Sequence, residues 1–154
     1  MLNEYLEYLE YERHYSSYTI DNYERDIEEF LDYLKRESIN YLKLEYSDIR
    51  LYLAYLKEEK HEKSTSISRK LSALRSYYKY LCSNNKVKTN LFNLISSPKK
   101  EQKLPRYFEY NELEELFDVP DLKTTLGQRD RLILEIMYAT GIRVGELVKI
   151  RLKD

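Results

Sequence analysis

Arg143 stands between Gly141 and Gly145, two of the three glycines in the chain. An arginine offers a planar fork of permanent positive charge, the side chain best matched to phosphate oxygens. Glu146 follows three residues later, and that spacing supports two readings. One is an i,i+3 Arg–Glu surface pair contributing about 0.2–0.5 kcal/mol, the plainer outcome. The other is a phosphate clamp entering the first turn of a helix after a glycine-hinged reversal. The residues alone leave both open.

A second concentration of chemistry lies upstream. At helical spacing Thr65, Ser68, Arg69, Ser72, Arg75, Ser76 and Lys79 fall within roughly 120° of one another. Short hydroxyls let a helix approach a phosphate backbone and donate to its oxygens, while the cations supply charge. No carboxylate interrupts this face, and none occurs between Lys63 and Lys100. Lys99, Lys100 and Lys103 extend the cationic tract, and a basic strap of that kind tracks a nucleic-acid backbone. A solvated polar surface is the alternative. An ordinary soluble helix mixes in acids, however, as residues 21–37 do.

The formal net charge of −1 conceals this arrangement. Residues 1–59 carry −8, residues 60–103 carry +9 and residues 104–154 carry −2. A local block of +9 attracts polyanions whatever the average. Cys82 is the single cysteine, and His14 and His61 are the two histidines, a set that suits neither a disulfide framework nor a dedicated metal site. No apolar run approaches the roughly 18 residues of a membrane span. The expectation is a soluble, cytoplasmic, all-α protein without a membrane partner.

Helices must position these residues. Leu2, Tyr5, Leu6 and Leu9 repeat at helical spacing and predict a helix from Leu2 to Arg13. Ser16 or Ser17 predicts the cap of a second, running to about Arg36 and carrying Ile27, Phe30 and Leu34. A third is predicted from Ser47, and a fourth from Ser64-Thr65-Ser66 to about Leu81 with Ile67, Leu71, Leu74, Tyr78 and Leu81 on its apolar face. A short helical piece covers Leu91 to Ile95. Residues 96–107, with two prolines and four cations, read as an extended linker. Asn111 predicts the cap of a further helix. Another starts at Gln128 or Arg129, buries Leu132, Ile133, Ile136 and Met137, and ends at a left-handed Gly141. A last helix spans Arg143 to Ile150. The 17 tyrosines are read as core and boundary positions rather than base-stacking platforms.

Ala139-Thr140-Gly141-Ile142-Arg143-Val144-Gly145-Glu146-Leu147 resembles the first active-site box of tyrosine recombinases, in their Xer-type and phage-integrase branch. Ser17-Tyr18-Thr19-Ile20 with Tyr23, Asp26 and Phe30 resembles the N-terminal core-binding helices of that family. Ser68 through Tyr78 resembles its arginine-containing helix before the interdomain linker, and Leu104-Pro105 and Arg129-Asp130-Arg131 fall at the family's usual places. The resemblance implies a SAM-like, helical DNA-binding domain over residues 1–97, a basic linker over 98–107 and the start of a catalytic domain over 108–154. It implies double-stranded DNA and other recombinase subunits, in a tetramer on DNA, as partners.

The resemblance further implies strand breakage and rejoining through a 3′-phosphotyrosyl intermediate, with no metal or nucleotide cofactor. Arg143 would be the first catalytic arginine and Glu146 its supporting acid. The family's lysine, its His-x-x-Arg box, a later His or Trp and the nucleophilic tyrosine would lie beyond residue 154. No His-x-x-Arg occurs in these residues. The expectation is therefore a truncated catalytic half, in a chain that binds DNA without cutting it. The alternative is a non-catalytic helical module that binds DNA or protein and regulates a recombinase.

Overall fold

The computed structural model describes residues 1–98 and 106–151, and every regular element among them is helical. The chain forms two compact units, Met1–Gln102 and Lys103–Asp154. Lys99, Lys100, Lys103, Leu104 and Pro105 lie outside the described residues.

The first unit contains α1 (Leu2–Glu7), a π-helical turn (Tyr8–Glu12), α2 (Ser17–Arg36), α3 (Tyr46–Glu58), α4 (Ser64–Ser83) and a 3₁₀ turn (Leu91–Leu94). The helix expected over Leu2 to Arg13 thus changes type midway. The Arg13 amide reaches back to the Tyr8 carbonyl at 3.1 Å, an i→i−5 bond, which widens the helix while Tyr5 and Leu9 both stay buried. Ser16 caps α2 as expected, its Oγ accepting from the Thr19 amide at 3.3 Å. Ser47 does not cap α3. Glu45 does, and its amide donates to Asp48 Oδ2 at 2.8 Å in a capping box that starts the helix at Tyr46.

The α2–α4 pair forms the centre of this unit, and the expected stripe of Ile67, Leu71, Leu74, Tyr78 and Leu81 is buried throughout. Phe30 of α2 is its hub. Its ring meets Tyr52 at 4.8 Å and Phe92 at 5.6 Å, both edge-on. Each such fully buried side chain contributes about 1.5–3 kcal/mol through removal from water. Tyr5 packs on Tyr77 at 5.2 Å, so several tyrosines are core residues, as expected. The Tyr78 hydroxyl donates to the Tyr41 carbonyl at 2.7 Å. Burial pushes the Tyr77 phenol up to about 12.

The second unit contains α5 (Tyr110–Asp118), α6 (Thr125–Thr140) and α7 (Val144–Leu147). Glu109, not Asn111, caps α5, its amide donating to Glu112 Oε2 at 3.0 Å. α6 begins three residues before the expected Gln128, because Thr124 Oγ1 accepts from the Gly127 amide at 3.0 Å. Gly127 is the buried residue here among those described, and a Cβ on it would come within 2.0 Å of the Asp121 carbonyl oxygen. Of the four apolar residues expected to be buried on α6, Leu132 is 55% exposed, and Ile133, Ile136 and Met137 are half-buried. Three helices of 9, 16 and 4 residues enclose too little volume to bury that stripe. Arg131 lies over the Phe117 ring at 4.9 Å and donates from Nη1 to the Phe117 carbonyl, tying α6 to α5.

Candidate nucleic-acid interface

α4 is buried over a wider arc than its apolar residues require. Besides the stripe, Ala73, Tyr77, Ser68 and Lys70 are buried, which leaves Thr65, Arg69, Ser72 and Lys79 exposed along the helix, with Ser64 and Ser83 exposed at its ends. Neighbouring helices therefore divide the expected cationic face into residues that look outward and residues that work inside the fold.

Arg75 is the clearest inward case. Its Nε donates to the Phe92 carbonyl at 3.1 Å, its Nη2 to the Ile95 carbonyl at 2.5 Å and its Nη1 to Ser97 Oγ at 3.2 Å. Asn90 completes the clip, donating from Nδ2 to the Arg75 carbonyl at 2.9 Å. A cation at the carbonyl end of the 3₁₀ turn also meets its negative pole. Ser76 is half-buried and faces Tyr5, opposing the upward push of burial on that phenol, in a contact short of full hydrogen-bond geometry. Ser68 is 7% exposed, and its hydroxyl has no hydrogen-bond partner among the described residues.

Behind the exposed strip lies a cluster of ions that sequence reasoning missed. Arg69 pairs with Asp26 of α2, whose side chain is only 3% exposed. Lys70 turns inward to Glu29, with Glu62 at 3.4 Å and Asp26 at 3.9 Å. Burial raises the Asp26 carboxyl, while the Arg69 hydrogen bond and charge pull it down. At 100° per residue Lys70 sits about 20° from Leu81, so its place beside the apolar stripe was a readable signal.

Thr65, Ser68, Arg69, Ser72, Ser97 and Pro98 together line a cleft of about 420 Å³. Four hydroxyl-bearing residues and one arginine line it, and no acidic residue does. Lys63 precedes α4 without a side-chain cap, and no acid lies in the first turn of the helix.

In the second unit Gly141 takes the expected left-handed conformation at φ 65° and closes α6, its amide donating to the Met137 carbonyl at 2.9 Å. Arg143 is the N-cap of α7 rather than a residue of its first turn. The Arg143 amide donates to Glu146 Oε2 at 3.0 Å, and Nη1 lies 3.5 Å from Oε1. One carboxylate therefore both starts α7 and restrains the guanidinium, which remains 86% exposed. Gly145 has open space where a Cβ would stand, so the backbone beside Arg143 is open to close approach.

Two family patterns match the chain. "Phage integrase, N-terminal SAM-like domain" covers residues 2–85, and "Phage integrase family" covers residues 106–154. The chain belongs to the phage integrase family of tyrosine recombinases. Curated relatives agree. It is 50% identical over 152 residues to tyrosine recombinase XerC of Anoxybacillus flavithermus, covering 98% of this chain and 50% of the relative. Tyrosine recombinase XerC of Bacillus licheniformis is 44% identical over 154 residues, covering 97% and 49%, and that of Bacillus subtilis is 43% identical with the same coverage. The chain thus spans about half the length of the curated relatives it matches. The all-α fold agrees with the expectation drawn from its residues, and the SAM-like match with the one that the resemblance implies. Among the described residues, no helix is long and apolar enough to cross a membrane.

Proposed function

We propose that these residues bind duplex DNA through the exposed strip of α4 and bring Arg143 to a scissile phosphate. Thr65, Arg69, Ser72 and Lys79 meet the backbone, joined by Lys99, Lys100 and Lys103 of the basic linker. Residues 1–97 act as the core-binding domain, 98–107 as the linker and 108–154 as the start of the catalytic domain. In the whole protein, working in the cytoplasm among other recombinase subunits, a tyrosine hydroxyl attacks the phosphorus. The bond to the 5′-oxygen breaks, leaving a 3′-phosphotyrosyl link and a free 5′-hydroxyl. Rejoining reverses the step with the hydroxyl of a second strand. Arg143 holds the non-bridging oxygens as charge develops on them, and Glu146 restrains it. The 154 residues alone bind without cutting.

The observation that carries this reading is the acid-free exposed strip of α4, opposite the buried apolar stripe of the same helix. A salt-titrated mobility-shift assay on duplex DNA tests it. Log affinity should fall linearly with log salt, by about 0.9 for each phosphate neutralised. A flat salt dependence overturns the interface. A covalent adduct formed by these 154 residues on a nicked substrate overturns the claim that they bind without cutting.

A further inference from the structure

We propose that the cleft beside the first half of α4 is a seat for one phosphate of the DNA backbone, with Ser68, Thr65 and Ser97 as hydroxyl donors. The inference rests on the reading that this helix meets duplex DNA, and it assigns one contact within that interface.

The hydroxyls lining the cleft are not equivalent. Ser72 Oγ donates to the Ser68 carbonyl at 2.9 Å, so its proton is already engaged. Ser97 Oγ accepts from Arg75 Nη1 at 3.2 Å, which leaves its own proton free for an oxyanion. Thr65 is exposed at the mouth. Ser68 is more than nine-tenths buried, lines the cleft and finds no partner among the described residues. An unpaired buried hydroxyl is costly to the fold. A rotation about χ1, a fast motion for a serine, presents it to a bound anion.

Arg69 supplies the charge. Its pairing with buried Asp26 anchors the guanidinium from behind while the side chain stays 45% exposed. Five donors in a rigid fork allow one arginine to serve a carboxylate and a phosphate together. Arg75 orients Ser97 from the other side. A diester oxygen entering the cleft would therefore meet one fixed cation and up to three free hydroxyl protons.

The test measures duplex affinity and thermal stability on the full 154-residue chain. Ser68→Ala and Ser97→Ala should each weaken duplex binding about five- to tenfold, as lost hydrogen bonds to a charged acceptor. Ser72→Ala should cost less than either. Ser68→Ala should leave the melting temperature unchanged or raise it, because it removes an unsatisfied buried group; a merely structural serine would lower both. Replacing single backbone phosphates by methylphosphonates should reveal one position at which wild type loses affinity and the Ser68→Ala chain does not. Ser47→Ala on α3 serves as the control.

If wild type binds duplex with a steep salt dependence but Ser68→Ala and Ser97→Ala bind as wild type does, the seat is overturned and the DNA reading stands. If wild type binds no duplex at low salt, the DNA reading itself fails and the seat falls with it. A parallel titration with inorganic phosphate distinguishes the source of the oxyanion. Saturable binding of free phosphate, with no methylphosphonate position that matters, overturns the assignment to DNA.

Discussion

Arg75 Nη2 donates to the Ile95 carbonyl at 2.5 Å, fastening the middle of α4 to the segment that follows the 3₁₀ turn. An arginine on a polar helix face thus serves the fold. Arg75→Ala should destabilise the first unit by about 2–4 kcal/mol, since it leaves the Phe92 and Ile95 carbonyls without their charged donor. Arg75→Lys should recover only part, for lack of the fork. Urea unfolding checks both, and a change below 0.5 kcal/mol would remove the clip from the account.

Lys79 is exposed on the outward strip and offers a cleaner probe of DNA contact. Lys79→Ala should leave the unfolding midpoint within experimental error, as surface changes usually do. It should weaken binding similarly across sequences and reduce the salt slope by about 1. Fluorescence anisotropy at several salt concentrations reads both quantities.

The raised Asp26 carboxyl sets the direction of a pH effect. A folded-state value above the unfolded one means that the native protein holds this proton more tightly. The associated stability is fully present below the unfolded value and is lost as pH rises through the folded one. The Asp26→Asn chain lacks that loss, so its stability relative to wild type should improve as pH rises from about 4 toward 7. Urea titrations across that range check the drift. The opposite drift would mean that Arg69 outweighs burial at this site.

Arg143 is 86% exposed, and Glu146 is its side-chain partner among the described residues. In the whole protein Arg143→Ala should lower strand cleavage by about 10²–10³-fold, the usual effect of removing one preorganised donor. Thermal stability should shift by less than about 0.5 kcal/mol. Cleavage of a labelled nicked duplex gives the first value and calorimetry the second. A large loss of stability would recast Arg143 as a structural cap.

Gly127→Ala places a methyl group where the Asp121 carbonyl oxygen lies 2.0 Å away. The turn before α6 must then open, and the second unit should lose helicity. Amide hydrogen exchange over residues 121–130 should quicken, while exchange in α2 and α4 stays unchanged.

Much of this was legible from residues in order. The apolar stripe of α4, the Ser16 cap and the left-handed Gly141 follow from periodicity and capping chemistry, both local properties. The helix starts before α3, α5 and α6 were less legible. Acids at Glu45 and Glu109 recruit partners three residues on, and Thr124 does the same for the Gly127 amide, so each outcompetes the more familiar cap beside it. The division of the α4 face was not legible at all. Whether Arg69, Arg75 and Ser76 look outward depends on Asp26, Phe92 and Tyr5, which lie 15 or more residues away along the chain. A helical wheel records angle and says nothing of which neighbours arrive. Lys70 alone gave a warning, by its place next to the apolar stripe.

The interlocked tyrosine rings described above also make the first unit visible to light. The chain contains no tryptophan, and Tyr5, Tyr52, Tyr77 and Tyr78 sit in fixed, asymmetric, dry surroundings, whereas Tyr107, Tyr110 and Tyr138 of the second unit are exposed. Near-ultraviolet circular dichroism therefore reports almost entirely on packing within residues 1–98, and far-ultraviolet dichroism on helices in both units. Recording the two side by side on one sample separates loosening of the first unit from loosening of the second, without a label or an added chromophore.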